Sequence, residues 1–511
     1  MFDNLEESGA QAAKLDPEAA RSQASQIDDS ARTDASEVDT EGSEAEAEGT
    51  GIWRLVGEAL GGSDRDFARL RLRRAIPLLA IPMVLEMAME AIFAITDIYF
   101  VSRIGPDAIA TVGLTESLIT LVYALAIGLS MPVTAMVARR YGEGDREAAA
   151  RAGAQAIWVG VGFGLLIGVP APFFAEELLR LMGAEPAVVA SGSGFTAVLM
   201  GTNVVIMLLF IQNAIFRGAG DATHAMRALW LANGVNLILD PCLIFGWGPF
   251  PEMGVTGAAV ATSIGRGLGV LYQLHHLRRG PRIVLAGAAM RPDFALMRQL
   301  LQRSVGGVSQ YLVSTASWVA LVRILAGFGS VAVAGYTVAM RIVIFALLPS
   351  WGFANATSTL VGQSLGAGDP NRARRAVMLS GLYNMGFLGV VGLIFVGAPE
   401  AVAALLTDDP AVLAVASRAL WIVALGFIFY AWEMVLIQSF NGAGDTKTPT
   451  WINLACFWAF EIPIAWWLSN GEWGAGWGPD GVFASVALAY SAAAIVAYFA
   501  FRRGRWADVK I

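Results

Sequence analysis

Residues 81–100 read IPMVLEMAMEAIFAITDIYF. Wound as a helix, twenty mostly apolar residues rise about 30 Å, the hydrocarbon depth of a bilayer. Three acids interrupt the run, Glu86, Glu90 and Asp97. Residues spaced by four, seven and eleven share one helical face. A charge within hydrocarbon costs several kcal/mol and faces an interior cavity rather than lipid. The stretch therefore predicts a membrane-spanning helix that borders a shared polar space.

The rest of the chain agrees. Of 511 residues, 56% are hydrophobic and 15% charged, with mean hydropathy +0.57; a soluble domain carries about 25% charged residues. Apolar runs of spanning length fall near 75–100, 109–138, 153–173, 192–216, 226–247, 256–277, 301–325, 332–362, 376–397, 414–440, 451–469 and 481–502. Glycine and proline inside such runs suit membrane helices, where neighbours re-satisfy the freed backbone groups. The predicted class is an all-α integral membrane protein with twelve transmembrane helices. The formal charge of −7 divides into −11 on residues 1–50 and +4 on the remainder. The acidic segment has little to bury and reads as disordered, with no basic-then-apolar pattern of a secretory signal. Arginine gathers in the loops after even-numbered spans, as in ARRYGEGDREAAAR (138–151) and GDPNRARR (368–375). That side and both termini are therefore expected in the cytoplasm.

One offset organises the whole membrane region. Gly105 pairs with Gly329, Gly142, Gly144 and Asp145 with Gly366, Gly368 and Asp369, Gly218, Gly220 and Asp221 with Gly442, Gly444 and Asp445, and Gly254 and Gly257 with Gly478 and Gly481, each shifted by 224. Six spans per copy return the chain to its starting side, so the halves run parallel and are related by an axis along the membrane normal. Such halves suit a transporter whose lobes rock around a central site. The expected organisation is a cytoplasmic tail at 1–68, an N-lobe at 69–278, a linker at 279–300, a C-lobe at 301–503 and a cytoplasmic tail at 504–511.

The candidate site follows from polar residues inside spans. Besides the three acids of the first span, Asn213 closes the fourth, Asn236 and Asp240 lie four apart on one face of the fifth, and Thr262 lies in the sixth. Carboxylates sharing a low-dielectric pocket cannot all ionise cheaply, so they hold a proton or bind a hard cation through oxygen. Asp240, before Pro241, has the alternative of capping a helix end. The duplication supplies a control: positions 97, 240, 236, 262, 86 and 90 correspond to Leu321, Ile464, Phe460, Val486, Gln310 and Ser314. The scaffold is repeated and the acids are not, which assigns ion coupling to the N-terminal half. Glu433 is expected to line the cavity opposite the first span, and Glu461, in FEIP, to pair with a nearby arginine. The G-x-G-D loops match neither a phosphate loop nor a dinucleotide fingerprint and read as turns between helices. Cys242, Cys456, His224, His275 and His276 assemble no zinc site at usual spacing. No nucleophile–base pair stands out, so an enzyme is not expected, nor a nucleotide, nucleic acid or cofactor.

With these motifs in hand, residues 70–503 resemble the multidrug and toxic compound extrusion (MATE) family. The first span with its following loop, NAIFRGAGDAT (213–223), QSFNGAGDTKTP (438–449), RYGEGDREAA (140–149) and QSLGAGDPNRA (363–373) carry the resemblance. It implies two six-helix lobes around a cleft and export of cationic or amphipathic compounds by proton or sodium antiport, in the cytoplasmic (plasma or inner) membrane of a prokaryote, as a monomer among lipids. It further implies a DinF-like branch, with Asp97, Asn236, Asp240, Ala258 and Thr262 as the coupling set. A sodium ion would sit at Asp97, Asn236, Asp240 and Thr262, and substrate near Glu86, Glu90, Asn213 and Glu433. A seventh span without an acid departs from NorM-like members. The alternative is a flippase of a related branch moving a lipid or lipid-linked saccharide. Its phosphate-bearing cargo calls for a cationic cavity.

Overall fold

The computed structural model describes residues 52–62, 67–509 and 511, so the acidic segment 1–50 lies outside the described residues. From Glu58 onward the described residues form one compact unit, and every regular element among them is helical. The twelve spans are α1 (Leu72–Ser102), α2 (Pro106–Gly142), α3 (Arg146–Gly168), α4 (Pro186–Gly218, in two pieces), α5 (Ala222–Phe245), α6 (Val255–Arg279), α7 (Phe294–Leu325), α8 (Ser330–Gly366), α9 (Pro370–Gly397), α10 (Pro410–Ala424 and Phe427–Ala443), α11 (Lys447–Ser469) and α12 (Pro479–Arg502). Ten are long and apolar enough to cross a membrane, and α10 is a pair of helices bent by 60°. The remaining one, α6, is 25 residues long but less apolar, because Arg266 interrupts it mid-span.

Backbone chemistry explains why the breaks recur at one offset. Asp145 and Asp369 cap α3 and α9 by accepting from the N–H groups of Ala148 and Arg372, at 2.8 and 2.7 Å. Asp221 accepts from His224 N, and Asp445 from Thr448 N at 3.1 Å. The preceding glycines, Gly144, Gly220, Gly368 and Gly444, sit at φ of 81, 77, 76 and 86°. That left-handed region costs a residue with a Cβ about 1–2 kcal/mol, and glycine little. The G-x-G-D loops are thus corners that stop one helix and cap the next.

The lobes meet through small residues, as expected where lipid provides no hydrophobic drive and packing must hold helices together. A Cβ on Gly128 of α2 would stand 2.7 Å from Val308 Cα of α7, and one on Gly352 of α8 would stand 2.7 Å from Val84 N of α1. Gly128 and Gly352, like Val84 and Val308, are 224 apart, so the seam obeys the same pseudo-symmetry as the sequence. Nearer the G-x-G-D end, Thr359 Oγ1 donates to Arg217 O and Gln363 Nε2 to Gly218 O, both at 3.0 Å.

Two expected tails are folded in part. Ile52–Gly61 forms a helix within the stretch expected to be a disordered tail. Its sequence, IWRLVGEALG, repeats apolar residues at helical spacing. Its last carbonyls are satisfied by Thr223, which donates to Ala59 O at 2.9 Å, and Arg227, which donates to Leu60 O at 2.7 Å. At the other end Trp506 is 1% exposed and stacks on Phe501 at 4.8 Å. Arg139 and Arg140 of α2 donate to the carbonyls of Val509 and Ile511, both at 3.2 Å, so 505–509 is a strap across the G-x-G-D end.

Candidate functional site

In the N-terminal lobe, α1, α4, α5 and α6 bring polar side chains together in two tiers. The lower tier centres on Glu86, which is fully buried. Its Oε1 accepts from Arg217 and from Asn213 Nδ2 at 3.2 Å. Gln273 of α6 in turn donates to Asn213 Oδ1. Glu86 Oε2 has no hydrogen-bond partner. Glu86 and Asn213 are thus together as expected, but sealed from solvent and tied to a fixed cation in this conformation.

Above them, Glu90 accepts from Asn233 Nδ2 at 3.0 Å and faces Arg266 at 3.8 Å. Its side chain keeps 34% exposure. Asp240 is fully buried. With the Asn236 amide turned so that both its ends are satisfied, Asn236 donates to Asp240 Oδ2 at 2.7 Å and accepts from Thr262 Oγ1 and N at 3.0 Å. Asp240 Oδ1 has no donor. Asp97 of α1, partly exposed, lies within electrostatic reach of Asp240. Ala258, 1% exposed, stands one turn before Thr262 on α6 and keeps that face narrow. The helix-cap alternative for Asp240 fails, because α5 runs on through Pro241 to Phe245.

Glu433 is elsewhere. It is 7% exposed and, with Glu461, lies within electrostatic reach of Tyr490 and Cys456. Tyr430 and Tyr490 meet edge to face at 4.1 Å. The reason is packing: α10 sits against α8, α9 and α12 of its own lobe. The last residue of a π-helical stretch, Leu454–Glu461, places Glu461 there. No ion pair to Glu461 occurs among the described residues, and its Oε2 has no partner, so the expected arginine is not there.

Sequence reasoning missed Arg217, Asn233, Arg266 and Gln273. An arginine in the run TSIGRGLGV (262–270) was a legible signal, since a cation mid-span needs an acid nearby.

A duplicated bundle of spanning helices that gathers acids between α1, α4, α5 and α6 defines the class: a multi-pass membrane transporter. The family model MatE matches residues 82–242 and again 308–467, two stretches offset close to the internal repeat. The chain belongs to the MatE family. Among curated proteins it is similar to a probable multidrug resistance protein NorM of Thermotoga maritima, at 25% identity over 77% of this chain and 85% of that protein. A probable NorM of Pseudomonas aeruginosa is 28% identical, over 84% and 88%. Among solved structures it resembles a MATE protein in the straight conformation, with TM-score 0.80 at 25% identity. It also resembles the outward-facing conformation of a multidrug resistance MATE family transporter, with TM-score 0.79 at 24% identity. Both likenesses cover 86% of this chain and 97% of the other.

Proposed function

We propose that this protein is a secondary active exporter that antiports cationic or amphipathic organic compounds against H⁺ or Na⁺, in the cytoplasmic membrane of a prokaryote, with the G-x-G-D loops and both termini inside. The observation that carries the reading is the buried Asp240 with one carboxylate oxygen lacking any donor, beside Asn236 and Thr262 oxygens and within reach of Asp97. Such an oxygen set takes either a proton or a sodium ion.

In the cycle, the coupling ion enters from outside and neutralises the Asp97–Asp240 pair. Charge lost there weakens the chamber's hold on a bound organic cation near Glu90, which leaves to the same side. Reorientation of the lobes about the Gly128 and Gly352 seam then exposes the ion to the cytoplasm, where it dissociates. Two binding states that exclude each other are what antiport requires. The Asp97, Asn236, Asp240, Ala258 and Thr262 set supports the DinF-like branch, and an α7 without an acid agrees with it. Glu86 with Arg217 acts as a brace beneath the chamber. No cofactor, nucleotide or enzymatic step is part of this reading.

Proteoliposomes test it. Efflux of a cationic dye should follow an imposed sodium gradient at constant pH, or a pH gradient without sodium, and Asp97→Asn should abolish it. Dye movement indifferent to both gradients sinks the proposal.

A further inference from the structure

Arg266 plays no part in the cycle above, yet it is a mid-span cation set against Glu90 and Asp97. It is 9% exposed. Its Nη1 donates to the Tyr123 hydroxyl at 3.1 Å, its Nη2 lies 3.8 Å from Glu90 Oε1, and its guanidinium carbon is 5.9 Å from the centre of the Phe93 ring. Asp97 is within its electrostatic reach. Asp97 also feels Glu116 of α2, which is itself within reach of Arg341 from α8 of the other lobe. Placing an arginine mid-span is costly, so a purely structural role invites a neutral residue. The other lobe has a neutral residue at the equivalent place. Position 266 corresponds to Tyr490, on the equivalent helix of the C-terminal lobe and also beside buried acids.

We infer that Arg266 is a resident counter-cation that cancels Glu90, leaves Asp97 and Asp240 as the charges offered to incoming ligands, and so lowers the site's preference for dications over monovalent amphipathic cations. A fixed positive charge repels a second cation in proportion to that cation's charge. The device therefore discriminates by valence, whereas a steric role for Arg266 has no such dependence. The inference rests on the exporter reading, because it requires organic cations to enter this chamber.

The test is equilibrium binding to the purified full-length protein in detergent, with tetraphenylphosphonium as the monovalent probe and methyl viologen as the divalent one. Arg266→Gln should tighten the first by about 5-fold and the second by about the square of that factor, near 25-fold. Arg266→Lys should keep both near the wild-type values. Arg266→Tyr introduces the residue that the other lobe tolerates here. It must show the same charge-scaled gain, which keeps the test open if the glutamine variant misfolds. Equal factors for the two probes, unchanged affinities, no binding of either probe by the wild type, or loss of both at an unaltered melting temperature would each overturn the inference. Asp97→Asn separates the two levels. If it abolishes gradient-driven efflux while Arg266→Gln changes nothing, only the counter-cation role fails. If Asp97→Asn leaves efflux intact, the exporter reading fails with it.

Discussion

Gly254 and Gly478, 224 residues apart, hold nearly the same unusual backbone, φ 56 and ψ −140° against φ 60 and ψ −139°. Where the N-terminal lobe has Asp240 and Arg217, the C-terminal lobe has Ile464 and Asn441 at the matching places. Backbone turns are shared because both lobes must make the same corners with the same hydrogen-bond requirements. Charges are not shared, because each buried charge costs free energy and is retained only where something uses it. The C-terminal lobe has its own acids, Glu433 and Glu461, at positions that correspond to Leu209 and Leu237. They sit among tyrosines, and among the described residues no ion pair reaches either of them, whereas in the N-terminal lobe Glu86 and Glu90 face Arg217 and Arg266.

The contrast is open to attack from its strongest consequence downward. Asp240→Asn should reduce ion-driven dye efflux in proteoliposomes to that of empty vesicles, while Glu461→Gln retains most of it; matching losses would mean that coupling is shared between the lobes. Next in size is the brace beneath the chamber. Arg217→Ala leaves Glu86 buried without its counter-ion and should cost about 3–5 kcal/mol. Asn441→Ala, at the equivalent place, removes only a buried neutral donor and should cost about 1–3 kcal/mol. Thermal unfolding in detergent measures both, and Glu86→Leu combined with Arg217→Met should recover much of the first loss.

The shared features should instead respond alike. Gly128→Val and Gly352→Val each force a side chain into the opposite lobe and should destabilise by about 1–3 kcal/mol, with a fall in dye efflux; a large inequality between them would break the pseudo-symmetry of the seam. Smallest are the corners. Asp145→Ala and Asp369→Ala each remove a helix cap worth about 1 kcal/mol and should lower the melting temperature by similar amounts.

Much of the fold was legible in one dimension. Span length, the 224-residue offset and the G-x-G-D corners are local properties, and the structure places a helix at each predicted span. The ends were less legible. The helix Ile52–Gly61 was absorbed into an acidic tail because composition averaged over fifty residues conceals a ten-residue periodicity. The strap at 505–509 depends on Arg139 and Arg140, which are more than 360 residues away in sequence.

By itself, the sequence determined a twelve-span, duplicated membrane protein with its acids on one face of α1 and one face of α5, because helical period and apolar length need no knowledge of neighbours. Only the tertiary structure decided which acids meet and what they meet. Glu86 is tied to Arg217, Asp240 to Asn236 and Thr262, Glu90 stands before Arg266, and Glu433 turns into its own lobe. Those pairings depend on the rotation and depth of each helix against the next, set by close glycine contacts such as Gly128 on Val308, and no spacing along a single helix encodes them.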